Sequence, residues 1–141
     1  MERLLKKWET AKSYLPKPEI IKSKAKTKVG VIYYGTSNYA TEEALETLGK
    51  QGIELDALRI RAFPFNEDVE KFIDTHDYVY VVDQNRDAQM RTLLINELEL
   101  NPANLVPVTY YEGMAITATH IANAIVEHRA SDGKSSKKSA S

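Results

Sequence analysis

Six residues, Val29-Gly30-Val31-Ile32-Tyr33-Tyr34, form a nearly unbroken apolar run that Gly35 closes. A strand with one wet face alternates polar and apolar residues. An unbroken run belongs to a strand covered on both faces, which requires layers above and below it. The next residues change period. From Asn38 to Gln51 the residues Ala40, Ala44, Leu45 and Leu48 share one helical face, Glu42 and Glu43 read as first-turn acids suited to the helix dipole, and Gly52 supplies the stop.

The alternation repeats down the chain. Leu55 to Ile60 reads as a second strand, and Asn66 as the cap of a helix whose inward face is Val69, Phe72 and Ile73. Tyr78 to Val82 is a third strand. A helix from near Arg86 buries Met90, Leu93, Leu94 and Leu98, and Leu105 to Thr109 is a short fourth strand. Thr117 caps a last helix carrying Ile121, Ala124 and Ile125 inward, with Ile116 and Ile121 spaced as a hydrophobic staple. The resulting β-α-β-α-β-α-β-α order predicts an α/β fold, a mostly parallel sheet with helices on both faces.

Outside this body, residues 1–27 read as a charged lead-in. Leu4, Leu5 and Trp8 fall on one helical face, and Pro16 and Pro18 enforce extended backbone, as in an inter-domain linker. Residues 28–129 are the body. Residues 130–141, almost wholly Ala, Ser, Lys and Gly, have nothing to bury and are expected to be disordered. A linker with nothing before it predicts a piece of a longer subunit, or one separately encoded part of it.

Composition excludes several classes. The formal net charge of −1 gives no global case for nucleic acid or anionic membrane, and the lysines from Lys22 to Lys28 are local and read as solvating the linker. The chain has no cysteine, so it offers no disulfide, no thiolate ligands for zinc or an iron–sulfur cluster, and no thiol nucleophile. This suits a reducing cytoplasm, the expected location. No apolar run approaches the roughly 20 residues needed to span a bilayer.

In parallel α/β sheets function gathers at the carboxyl ends of the strands. There the sequence places Gly35-Thr36-Ser37, Phe63-Pro64-Phe65 and Asp83-Gln84-Asn85-Arg86, with Gln89 one helical turn further on. Gly35, Thr36 and Ser37 precede a helix N-terminus and could face an anion, or simply form a turn and cap; neither a dinucleotide fingerprint nor a P-loop is present. Phe63 and Phe65 on a rigid turn make either an apolar docking knob or part of the core. Asp83, Gln84, Asn85 and Arg86 read as a polar contact with a neighbour or as a capped turn, with Asp87 a second candidate cap. His76, His120 and His128 are scattered without metal-ligand spacing, so no metal site and no catalytic residue is expected.

The stretch from Val79 through Asp83-Gln84-Asn85-Arg86-Asp87-Ala88-Gln89-Met90-Arg91 to Leu94 resembles the segment VVEQNRDAQLRTLL of the α subunits of 2-oxoacid:ferredoxin oxidoreductases, the 2-oxoglutarate type especially. Gly35-Thr36-Ser37 followed by Glu43-Ala44-Leu45, the turn Arg61-Ala62-Phe63-Pro64-Phe65, and Arg3 to Pro18 resemble that family's strand–turn–helix opening, its R-x-x-PF turn and its linker. Asp83 stands where the family commonly has Glu, which shortens the reach of that carboxylate.

The resemblance covers about residues 3–129. It implies a three-layer, transketolase C-terminal-domain-like fold of about five strands, one of them antiparallel. It also implies a complete complex that decarboxylates a 2-oxoacid on thiamine diphosphate and magnesium, forms an acyl-CoA, and passes electrons through iron–sulfur chemistry to ferredoxin. None of those cofactors is expected on this chain, which would be inactive alone. Its implied partners are a β subunit, the upstream domains, ferredoxin and CoA through the complex, and a second copy of the chain. Two other readings remain: a Rossmann-like module binding a small molecule or anion at Gly35–Asn38, and the equivalent domain of another thiamine diphosphate enzyme.

Overall fold

A computed structural model describes residues 16–84, 88–110 and 116–139. Trp8 and most of the lead-in, Asn85, Arg86, Asp87 and the segment 111–115 lie outside the described residues. Five strands, β1 (Glu19–Ile21), β2 (Val29–Tyr34), β3 (Asp56–Ile60), β4 (Tyr78–Asp83) and β5 (Leu105–Thr109), form one sheet in the order β1-β3-β2-β4-β5. Only β1 runs antiparallel, pairing Glu19 with Arg59 and Ile21 with Ala57. The other neighbours are parallel.

Among the described residues four helices cover the sheet: α1 (Asn38–Lys50), α2 (Glu67–Asp74), α3 (Gln89–Leu98) and α4 (Ala118–Ser139). The apolar run of β2 divides between two cores. Val31 and Tyr33 pack with Ala44 and Leu48 of α1 and Ile121 and Ile125 of α4. Ile32, on the opposite face, packs with Val69, Phe72 and Ile73 of α2 and Leu94 of α3. The architecture is three layers, α/β/α, around a mostly parallel sheet, as the alternation and the resemblance both imply.

Local choices explain the element ends. Gly35 has φ +60° and Gly52 φ +80°, left-handed values that a side chain would strain. The Asn66 side chain accepts from the Asp68 amide at 2.9 Å, and Thr117 Oγ1 accepts from the His120 amide at 3.2 Å. Ile116 and Ile121 meet in one core cluster, as the staple predicts. Gly30 admits the Phe72 ring: a β-carbon there would stand 2.7 Å from Cε1. Pro107 sits on the edge strand β5, where its missing amide proton costs least.

Four sequence expectations change. The sheet begins at Glu19, inside the stretch read as lead-in; three residues carry no measurable period, and Ile20 and Ile21 are both about 40% exposed, at 42% and 40%. Helix α1 has no acid in its first turn, because it starts at Asn38 and leaves Glu42 and Glu43 in the second. Helix α3 starts at Gln89 instead of near Arg86. Finally, α4 runs to Ser139, through the tail expected to be disordered. Its early turns are fixed by Ile121, Ala122 and Ile125 in the core, and each further residue then adds a hydrogen bond without a new nucleation cost.

Candidate functional site

Strand β2, the first of the parallel strands in the chain, lies between β3 and β4, so the connections run to opposite sides of it and the switch point falls between the carboxyl ends of β2 and β4. In open α/β sheets that crevice is where ligands enter. Here two side chains bridge it. The Tyr34 hydroxyl donates to Asp83 Oδ1 at 2.5 Å, and Asp83 Oδ2 accepts the amides of Met90 at 2.9 Å and Arg91 at 3.3 Å. Asp83 is fully buried. It therefore caps α3 from the end of the preceding strand, satisfying amides that Ala88, the left-handed residue at the helix start, does not serve. Burial, then the hydrogen bond to Asp83 and the negative charge of Asp83, push the Tyr34 hydroxyl well above its ordinary value.

Asp83 is thus a buried structural cap. Of the two readings of Asp83, contact with a neighbour or capped turn, its burial and its amide bonds favour the capped turn. Gln84, next to it, is half-buried, and Gln89, the first residue of α3, is exposed. Arg91 emerges from the same motif and turns inward: Nε donates to the Leu105 carbonyl and Nη2 to the Pro102 carbonyl, both at 2.7 Å, tying α3 to the start of β5. The capped-turn reading of the sequence covers the role of Asp83, whereas the Arg91 tie had no local signal.

The Gly35 loop is internally committed. Ser37 is 2% exposed and its hydroxyl donates to the Tyr34 carbonyl at 2.6 Å, so it does not cap α1 and is turned away from any anion at that helix end. Thr36 belongs to the same 3-10 turn, Gly35–Ser37. The two phenylalanines part company. Phe65 is buried in the α2–α3 core, whereas Phe63 is 45% exposed and meets Phe65 edge-on with centroids 5.4 Å apart. Tyr39, on the first turn of α1 at the same end of the sheet, is 82% exposed.

Each histidine is occupied by the fold. His120 Nε2 bonds the Thr109 carbonyl at 2.9 Å, and His128 Nδ1 lies 2.8 Å from the Tyr80 hydroxyl. His76 Nε2 bonds Asp56 Oδ2 at 2.8 Å, while its Nδ1 faces the Phe72 carbonyl. Asp56 also accepts the Ser23 amide at 2.9 Å and has Lys22 Nζ at 3.5 Å. Burial alone would raise the Asp56 carboxyl, but the Ser23 amide, His76 and Lys22 outweigh it and hold it below the usual carboxylate range. Among the described residues no group of three His, Asp or Glu could hold a metal ion, and no helix is long and apolar enough to cross a membrane.

No protein-family model and no curated protein sequence matches the chain. Solved structures do. The 2-oxoglutarate:ferredoxin oxidoreductase of Magnetococcus marinus, solved with 2-oxoglutarate, coenzyme A and succinyl-CoA bound, superposes with TM-score 0.74 at 22% identity over 86% of this chain, which spans 21% of that one. The alpha chain of a probable 2-oxoacid ferredoxin oxidoreductase from Thermoplasma acidophilum superposes with TM-score 0.52 at 22% identity, covering 79% of this chain and 95% of that one. The proteins whose motif the sequence resembles are therefore also proteins whose fold it shares: the chain has the fold of a segment of the 2-oxoacid:ferredoxin oxidoreductases.

Proposed function

We propose that the chain is the C-terminal domain of the α subunit of a 2-oxoacid:ferredoxin oxidoreductase and serves assembly within that complex. The carrying observation is the Tyr34–Asp83–Met90 bridge across the switch point, which turns the most specific part of the resembling motif into scaffold. The other side chains at that end divide in the same way. Ser37, Phe65 and Arg91 face inward, while Phe63, Tyr39 and Gln89 are presented outward. A domain of this kind acts on the rate by holding neighbouring domains in register.

The reaction is that of the complete complex: decarboxylation of a 2-oxoacid of the 2-oxoglutarate or pyruvate type to an acyl-CoA, with electrons delivered to ferredoxin. Thiamine diphosphate, magnesium and the iron–sulfur cluster belong to other parts of it. With no cysteine the chain offers no thiolate ligands for an iron–sulfur cluster, and among the described residues no group of three His, Asp or Glu could hold a metal ion. The partners are the upstream domains and a β subunit, in the cytoplasm.

Co-expression of the complete α subunit with its β subunit tests this reading. Wild type is expected to co-purify with 2-oxoacid-dependent reduction of ferredoxin, and the isolated chain is expected to show no calorimetric binding of thiamine diphosphate with magnesium. Saturable binding of that cofactor by the isolated chain, or turnover by it, would overturn the assignment.

A further inference from the structure

At the opposite edge of the sheet, where the parallel strands begin, the segment between β1 and β2 closes over a cleft of about 280 Å³. Lys22, Lys24, Lys26 and Lys28 line it, with Asp56 and His76 at its base. The volume lies just below the range of about 300–1,000 Å³ for drug-sized ligands, so only a small ligand would fit. The segment is anchored in place: the Ser23 amide donates to Asp56 Oδ1, and the Asp77 amide donates to the Lys28 carbonyl at 2.7 Å. Its lysines are therefore held around the opening at both ends.

The charge balance is one-sided. Among the described residues Asp56 is the only carboxylate lining the cleft, and it is already engaged by His76, the Ser23 amide and Lys22. Among the described residues Lys24, Lys26 and Lys28 form no salt bridge. The carboxyl end of α2 also faces the cleft through Thr75 and His76 and carries partial negative charge, at most about half a unit. The four lysines of the lining segment outweigh both in number. On a chain of net charge −1, this is a local surplus with walls, the arrangement that concentrates anions.

We propose that this cleft binds a small anion carrying two linked phosphate groups. A single phosphate brings at most about two negative charges and leaves part of the lysine surplus unmatched. Two linked phosphates can engage lysines from both ends of the segment. The site lies on the edge of the sheet away from the switch point and does not depend on the assembly reading.

Titration of the 15N-labelled chain with pyrophosphate, with orthophosphate and chloride compared at constant ionic strength, tests it. Pyrophosphate should shift the amides of Ser23 to Lys28 and the His76 ring saturably, binding at least tenfold tighter than orthophosphate. The exposed double variants K24E/K26E and K24Q/K26Q should lose that binding, whereas Lys71→Glu, on the outer surface of α2, should keep it. Circular dichroism reports whether each variant is folded. Absent shifts, equal affinity for the two phosphates, or binding that survives in a folded K24E/K26E would overturn the proposal.

Discussion

Tyr34 and Asp83, 49 residues apart in the chain, share a 2.5 Å hydrogen bond at the carboxyl ends of two neighbouring strands. The bond joins the end of β2 to the cap of α3, so one carboxylate serves both strand spacing and helix initiation. Asp83→Ala removes a cap, about 1 kcal/mol, and strands the half-buried Tyr34 hydroxyl, about 1–3 kcal/mol. Asp83→Ala should therefore destabilise the chain by about 2–4 kcal/mol in urea unfolding. Tyr34→Phe should cost less, about 1–2 kcal/mol, because Asp83 keeps its amide bonds. The double variant should fall short of the sum. Asp83→Glu, which supplies the family's commoner residue, puts an extra methylene into a fully buried position and should cost about 1–3 kcal/mol.

Much of this fold is legible in the sequence because burial and period are local properties. The β2 run, the Asn66 cap and the Ile116–Ile121 staple each need fewer than seven residues to be read, and each is where the pattern puts it. Strand β1 escaped because pairing with β3 stabilises three residues that bury neither isoleucine fully. The site was harder for a different reason. Sequence shows that Asp83, Ser37 and Phe65 lie at the carboxyl edge but not which way they turn, and their partners Tyr34, Met90 and the α2–α3 core are set by tertiary packing. The same limit hid the Asp56–His76 pair, whose members are 20 residues apart.

The pair Asp56–His76 should shape the acid limb of stability. The folded Asp56 carboxyl is held below its unfolded value, so its contribution is complete above the unfolded pKa near 3.8 and is lost as pH falls through the folded value. Unfolding midpoints measured from pH 6 to pH 2 should drop in that window, and the drop should shrink in Asp56→Asn. At pH 7 Asp56→Ala leaves His76 Nε2 and the Ser23 amide without their acceptor and should cost about 1–3 kcal/mol.

An alkaline limb is expected as well. Burial, followed by the charges of Glu42 and Glu19 against Arg59, pushes the Tyr33 hydroxyl up to about 12. Burial and the neighbouring Asp83 raise Tyr34, and burial and Tyr78 raise Tyr80. A folded pKa above the unfolded value of 10 gives stability that is complete below pH 10 and is lost as pH rises. Absorbance at the tyrosinate band should show these three ionising only together with loss of near-ultraviolet dichroism.

Gly30 and Phe72 are matched in size. Gly30→Ala should force the Phe72 ring to move and cost about 1–3 kcal/mol, since its β-carbon would come within 2.7 Å of Cε1 and 2.8 Å of Cζ. Phe72→Leu shortens that side chain and leaves a gap of its own. In the Gly30→Ala background Phe72→Leu should be less destabilising than in wild type, and a thermodynamic cycle of melting curves measures the difference. Equal effects in the two backgrounds would mean that the strand shifts as a unit instead of the ring.

Phe63 separates stability from assembly. It is 45% exposed and touches Phe65 edge-on, a contact worth about 0.5–1.5 kcal/mol at most. Phe65, by contrast, is 5% exposed inside the core. Phe65→Ala should therefore cost about 3–5 kcal/mol, and Phe63→Ser less than about 1.5 kcal/mol. If the carboxyl edge is the assembly face, Phe63→Ser in the complete α subunit should weaken association with the β subunit or upstream domains at least tenfold while the variant stays folded. An exposed aromatic anchor is the kind of side chain that dominates interface energy, so one substitution suffices to read it. Sedimentation of the complex measures the loss, and undiminished association with Phe63→Ser and Tyr39→Ser together would move the assembly face elsewhere on the domain.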